Sequence, residues 1–474
     1  MRISGLASNL DWESLVDQLM QIERRPLLLL ERRKLEIETE RNAWSDIRSR
    51  LDNLQDRIAG VLASDLFDRV RATSSDEARV TVEAGSAATP GQYTIEVQQL
   101  ATAHAIATAD PSITADPAAP LNQSGTFRIT VGATSFDVTV DAGDSLNAIR
   151  DKINAAVQAA VAADPAAEAD AVRAEVIGTH LVITRTHTGQ GAIDISDVSG
   201  TVAQSLTLID AAGAERNVLT TGQDARFTVN GLAFTRSSNT VSDVIQGVTL
   251  ELHQAAPGQA VTVTVAWDDD AVVDAVKKFI DQYNSALSFM AQQQDYQDPS
   301  GGKLGGDVLL ASLRDALRRM VADPVAALAG STGLDRLSAV GITTQDKSGT
   351  LVLDEQALRD ALARDRAGVQ RLLAGDPDPA STADDGVFVR LQEAVDGWLE
   401  SNTGLLDRRI DSLDDRARDY AEQMERMEYR LKLREQNLTR QFEALETLLS
   451  TLQSQEQWLI QQVNQLAALR PQRG

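Results

Sequence analysis

The 474-residue chain contains no cysteine. That excludes disulfides, thiolate nucleophiles and Cys-ligated zinc or iron–sulfur centres. Aromatic residues make up only 4%, too few for a stacking surface for bases or sugars spread along the chain. A basic excess is missing too. Lys and Arg number 45 against 69 Asp and Glu, for a net charge of −24, and a nucleic-acid binder needs a positive footprint. No apolar run approaches the ~20 residues of a membrane-spanning helix. Residues 1–8 lack the apolar core of a secretory signal, and Asp11 and Glu13 follow almost at once. The expectation is a cytoplasmic chain, or one exported by a route that needs no cleaved signal.

What is present is enough to fold. Hydrophobic residues make up 43%, which supports packed cores. At roughly 150 residues per domain the length suggests about three domains. The charge is unevenly placed: residues 1–70 and 400–474 each carry −2, so the middle holds −20. Near-neutral ends suit packing against other chains, and an acidic middle suits a solvated surface.

Both ends read as long helices. Asp11 is an N-cap with Glu13 in the acidic first turn. Leu15, Leu19 and Ile22 recur at helical spacing. Pro26 has no N–H and disfavours helical geometry at Arg25, so it interrupts the helix there. Beyond it Leu30, Ile37, Trp44, Leu51 and Ile58 recur every seven residues, with Ile47, Leu54 and Val61 three further on, an a/d seam. At the other end Met424, Leu431, Leu438, Leu445, Leu452, Leu459 and Leu466 form an unbroken heptad series, with Phe442, Leu449 and Val463 four residues after members of it. As one helix from Leu405 to Ala468 this segment spans about 96 Å at 1.5 Å per residue. A helix so long implies an extended packing partner.

Between Val80 and Trp267 the period switches to two. Tyr93, Ile95 and Val97 alternate after a Pro90-Gly91 turn, as do Phe127, Ile129 and Val131, then Phe136, Val138 and Val140, and finally Val261, Val263 and Val265. Asn230-Gly231 between two short apolar runs is a hairpin signal. Ser145 caps a helix through Leu146, Ile149 and Ile153 that runs into an Ala-rich stretch reaching Ala174, split by Pro165. A helix returns from Asp268 to Phe289, and another lies at 308–321. A short hairpin turns near Lys347-Ser348-Gly349, and residues 375–386 read as a linker. The order helix, sheet, helix points to a nested topology, with the chain ends paired and the β modules inserted between them.

No catalytic constellation is visible. His104, His180, His187 and His253 lack metal-ligand spacing and read as exposed strand or loop residues. Asp268-Asp269-Asp270 does not match a calcium loop and reads as a strand end followed by an acidic helix start. The Gly301–Gly306 stretch has no Ser or Thr after Lys303 and no strand before it, unlike a phosphate loop. Periodicity alone leaves two readings of the ends: a self-paired coiled coil that dimerises the chain, or helices that enter a larger helical assembly.

Ser4-Gly5-Leu6-Ala7-Ser8-Asn9-Leu10-Asp11, Leu15-Val16-Asp17-Gln18-Leu19-Met20 and Ile22-Glu23-Arg24-Arg25-Pro26-Leu27 resemble the N-terminal signature of the flagellar filament cap family, the hook-associated protein 2 family. Asn9 stands where Gly is common, and Trp12 where a small residue is usual. Gly91 to Ala101 resembles its first β segment. Residues 143–154, ending in Ile153-Asn154, resemble the Ile-Asn motif of flagellins and hook-associated proteins. Residues 240–250, Phe279-Ile280-Asp281-Gln282-Tyr283-Asn284, residues 340–354 and Gln441-Phe442-Glu443-Ala444-Leu445-Glu446 continue the match in chain order.

The resemblance implies a structural, non-enzymatic protein without cofactor or metal. It would be exported by the flagellar type III apparatus to the filament tip, outside the cell. The implied fold is α+β and multidomain: a coiled-coil stalk of paired terminal helices (1–44 with 401–474), a mostly helical leg (45–79 with 269–400), an inner β head (80–108 with 222–268) and an outer β head inserted in it (109–221). Implied partners are other copies in a pentameric or hexameric ring, flagellin, the hook–filament junction protein and an export chaperone. Host mucin or glycans would be a secondary ligand. A junction protein is the alternative within the same machinery. Docking would fall to Leu15, Leu19, Ile22, Leu30, Ile37, Met424, Leu431, Leu438, Leu445, Leu452, Leu459 and Leu466.

Overall fold

The computed structural model describes residues 11–109, 116–295, 302–328, 333–375 and 385–468. Ser4 to Leu10, the loop expected at Asp298–Gly302 up to Gly301, and most of the expected 375–386 linker lie outside the described residues. Helices run α1 (Trp12–Glu23), α2 (Arg25–Val61), α3 (Leu146–Ala163), α4 (Val202–Ser205), α5 (Asp269–Gln294), α6 (Val308–Ala322), α7 (Glu355–Ala374), α8 (Val387–Leu399) and α9 (Leu405–Ala468). Strands run β1 (Val70–Ser74), β2 (Val80–Ala84), β3 (Gly91–Gln99), β4 (Ala105–Ala107), β5 (Gly125–Val131), β6 (Thr134–Val140), β7 (Val172–Ile177), β8 (His180–Arg185) and β9 (Asp194–Ser199). They continue with β10 (Val218–Thr220), β11 (Ala225–Val229), β12 (Leu232–Arg236), β13 (Thr240–Ile245), β14 (Val248–Leu252), β15 (Val261–Trp267), β16 (Ile342–Thr344) and β17 (Leu351–Leu353). The protein is α+β with several antiparallel sheets. The chain divides into two compact units, residues 1–63 with 272–474, and residues 64–271.

The first unit is helical apart from the β16–β17 hairpin. Pro26 sits in the first turn of α2, where its missing N–H costs nothing, so it starts a helix as well as ending α1. Trp44, Ile47, Leu51, Leu54, Ile58 and Val61 bury the a/d seam of α2, each worth roughly 1.5–3 kcal/mol over exposure for the larger side chains. That seam packs on α8 and on the first part of α9, where Leu406 and Leu413 are fully buried. Phe279 of α5 meets Phe388 of α8 edge-on, with ring centroids 4.5 Å apart. Asp268 caps α5 by accepting from the Ala271 N–H at 3.1 Å, as the acidic triplet suggested. Helix α7, which the sequence reading left unassigned, is capped by Asp354.

The second unit holds two separate apolar cores. One is built from the sheets β1-β15-β3-β11-β12 and β13-β14-β2, and buries Ile95, Val97, Phe227, Leu250 and Val263. The other is built from β10-β4-β8-β7 and β6-β5-β9 with α3, and buries Phe127, Ile129, Phe136, Ile149 and Ile153. Ser145 caps α3 by accepting from the Ala148 N–H. In the β11–β12 hairpin, Asn230 and Gly231 have φ of 49° and 80°, the pair of positive values that a type I′ turn requires.

Three expectations need correction. The sheet starts ten residues before Val80, because Val70–Ser74 pairs along its whole length with β15. Five residues, three of them charged or polar, make too short a run to show a period. The Ala-rich run is split at Pro165 as expected, with α3 ending at Ala163, but its end is not helical: Val172–Ile177 is a strand, where β-branched Val172, Val176 and Ile177 favour the sheet. Among the histidines, His104 is buried rather than exposed. Its Nδ1 accepts from the Gly222 N–H at 3.4 Å, and its Nε2 lies 3.3 Å from Glu215 Oε2.

Candidate functional site

The terminal helices form a graded surface, covered near the middle of α9 and bare toward its end. Asp11 accepts from the Ser14 N–H and caps α1. The side of α1 that turns to α9 carries Trp12, Val16 and Met20, residues four apart and therefore on one helical face. Val16 and Met20 are buried with Leu431 and Leu438 of α9, and Leu27, Met427 and Phe442 pack around them. The Trp12 ring stacks on Phe442 with centroids 4.9 Å apart and planes inclined by 24°. Its Nε1–H donates to Glu446 Oε2 at 2.7 Å.

Charged pairs continue the pairing and fix its direction. Arg48 meets Asp407 at 2.7 Å and Arg41 meets Asp414 at 2.9 Å. Further along, Glu23 lies 3.7 Å from Arg434 and Arg24 lies 4.0 Å from Glu435. As residue numbers rise along α9 they fall along α2 and α1, so the chain ends run antiparallel. The outer pairs are exposed and contribute little energy each. Their value is registry.

Leu15, Leu19 and Ile22, assigned above to docking, lie off this contact and are 37%, 40% and 58% exposed. They form a second apolar stripe beside the covered one. Leucine and isoleucine dominate a hydrophobicity reading of α1, and Val16 and Met20 are easily passed over. The signal was there in Trp12, whose large ring at the i−4 position selects the 12–16–20 face. On α2, Ile37 is buried and Leu30 half-buried. On α9, Met424 is half-buried, and Leu431 and Leu438 are buried. Beyond Phe442 the heptad series comes out into solvent. Leu445, Leu452 and Leu459 are 46%, 51% and 54% exposed. Leu448, Trp458, Ile460 and Val463 are exposed as well. Leu466 lies within α9, and its side chain lies outside the described residues.

Among the described residues, reactive side chains do not gather into a comparable site. Among the described residues no group of three or more His, Asp or Glu could hold a metal ion. His180 Nδ1 lies 2.8 Å from the Thr108 carbonyl, and His253 Nε2 lies 2.8 Å from Thr81 Oγ1, ordinary hydrogen-bonded positions. Among the described residues no helix is long and apolar enough to cross a membrane.

Comparison with known proteins agrees along the chain. Residues 8–104 match the family model for the flagellar hook-associated protein 2 N-terminus, and residues 222–454 match that for its C-terminus. Residues 126–184 match the flagellin hook IN motif. The chain is 30% identical over 467 residues to the B-type flagellar hook-associated protein 2 of Pseudomonas aeruginosa, covering 92% of both chains. It is 28% identical over 482 residues to flagellar hook-associated protein 2 of Escherichia coli K12, covering 97% of each. Among solved structures, the D1-D2-D3 domains of the Escherichia coli flagellar cap protein FliD align with a TM-score of 0.56 at 27% identity, over 78% of this chain and 99% of that one. This chain belongs to the flagellar hook-associated protein 2 family.

Proposed function

We propose that the protein is the structural cap at the distal end of a flagellar filament. It works there as an oligomeric ring beneath which flagellin is inserted, and it keeps flagellin from leaking into the medium. The observation that carries this reading is the bare heptad stripe on α9 from Leu445 to Val463. A helix that buries its seam at Leu438 and exposes the same seam about two turns later, at Leu445, is built for a partner that arrives later. Burying that stripe yields roughly 25 cal/mol per Å² of apolar surface, which offsets the ordering cost of docking.

The mechanism is mechanical, and no bond is made or broken by the chain. The paired terminal helices enter the filament end as a coiled-coil stalk. The helical leg spans roughly 45–79 with 269–400, less Val70–Ser74, which pairs with β15 in the head sheet. An inner β head (80–108 with 222–268) carries an outer one (109–221). The two separate β cores support that division of the head. Other copies of the chain, flagellin, the junction protein below and a type III export chaperone are the partners of this reading, and the filament tip is its location.

Deleting the gene in its source bacterium tests the proposal. The deletion strain is expected to make hooks, to shed monomeric flagellin and to lack filaments. The full chain should restore filaments, and a chain lacking residues 424–474 should not. Normal filaments in a deletion strain that has no second copy of the gene would overturn the proposal.

A further inference from the structure

Helix α1 has two apolar faces only three residues out of phase, and something must decide which of them lies on α9. Val16 and Met20 are smaller or more flexible than Leu15, Leu19 and Ile22, so hydrophobicity alone would turn the helix the other way. The turned-in face differs by one residue, Trp12. Its ring stacks on Phe442, and its indole N–H is bonded to the Glu446 carboxylate. These two contacts have different directions, one perpendicular to the ring plane and one within it. Together they fix the rotation of α1 about its own axis as well as its position along α9.

We propose that Trp12 is a positioning residue for assembly. It clamps α1 onto the Phe442–Glu446 turn of α9 and thereby holds Leu15, Leu19 and Ile22 outward as a continuous apolar stripe. The inference rests on the capping reading, which assigns the outward stripe to the assembled filament end. It goes beyond that reading by naming the residue that orients it. With the clamp lost, α1 can roll so that Leu15 and Leu19 cover Leu438. The inward face is then exposed, and the outward one is withdrawn from assembly. The Glu23–Arg434 and Arg24–Glu435 pairs are too exposed and too long to prevent the roll.

The test uses the full chain, both purified and expressed in the deletion strain, with four variants: W12A, W12F, E446Q and the exchange W12F/F442W. In the purified chain, tryptic cleavage after Arg24 reads how firmly α1 is held, since the Arg25–Pro26 bond resists trypsin. W12A should be cleaved about fivefold to tenfold faster, the range expected for loss of a stacked, hydrogen-bonded aromatic. E446Q, which keeps an acceptor, and the exchange variant, which keeps the stack, should stay within about threefold of the parent chain. Far-ultraviolet circular dichroism and the unfolding temperature of the remainder should be unchanged in all of them. In cells, W12A should leak flagellin, W12F should leak less, and the exchange variant should cap. Unchanged cleavage in W12A, or W12A capping as well as the parent chain, would overturn the inference alone. The parent chain failing to restore filaments would instead overturn the capping reading, and the two failures are separate.

Discussion

The carboxamide of Asn284 and the backbone of Leu351 hold each other through two reciprocal hydrogen bonds: Nδ2–H donates to the Leu351 carbonyl at 2.8 Å, and the Leu351 N–H donates to Oδ1 at 2.7 Å. The same arrangement recurs in both β cores. Asn154 grips Ala174 at 3.0 and 2.9 Å, and Asn239 grips Ala101 at 2.9 and 2.7 Å. An asparagine is suited to this because it offers a donor and an acceptor side by side, as a neighbouring strand would. At Ala174 the amide takes the place of a strand along the free edge of β7, which also blunts that edge against unwanted pairing.

Replacing Asn284 with Asp keeps the shape and turns the donor into an oxygen facing a carbonyl. The expected cost is about 1–3 kcal/mol, read as a lower urea midpoint with an unchanged slope. N154D should act the same way on the second core. If N284D unfolds at the same midpoint as the parent chain, the clamp has no energetic role.

Trp44 is fully buried on α2 and anchors the seam shared with α8 and α9. Truncation to alanine leaves a cavity that the neighbouring helices cannot close, so W44A should lose about 3–5 kcal/mol. A urea titration followed by circular dichroism measures it. A loss below about 1 kcal/mol would mean that the seam is not packed as described.

Asp144 supplies an acid-sensitive prediction. Burial pushes its carboxyl up, but the Lys152 ammonium at 2.5 Å and the Asp141 N–H outweigh this, and the net shift is below the ordinary value of 3.8. A lowered folded value means stabilisation that is complete above 3.8 and is lost as pH falls through the lower folded value. D144N should therefore lower the unfolding temperature at pH 7, and the difference from the parent chain should vanish as the pH drops well below 3.8. A difference that persists unchanged at pH 2 would contradict the ion-pair origin.

Much of this architecture is legible in the sequence where one residue type has one job. The Asp11 and Ser145 caps, the restart at Pro26, the Asn230-Gly231 hairpin and the full extent of α9 all follow from local chemistry. The misses share a different cause. Val70–Ser74 becomes a strand only because β15 lies beside it, and pairing across nearly two hundred residues leaves no local period. His104 is buried by the return of residues 215–222, again a non-local event. On α1 the amphipathic pattern was visible, but it contains two stripes, and only the partner surface around Phe442 selects between them. Asn154 and Asn284 were part of recognisable motifs and Asn239 stands just before one, yet their carboxamides find backbone 20 to 138 residues away.

The most direct measurement is a flagellin-release assay with L452D/L459D expressed in the deletion strain. Both side chains are exposed in the single chain, so the purified variant should unfold at the temperature of the parent protein. Capping is expected to be lost, with monomeric flagellin in the medium and hooks without filaments. Full-length filaments grown with L452D/L459D, with no flagellin released, would contradict the claim that the bare end of α9 is what the filament holds.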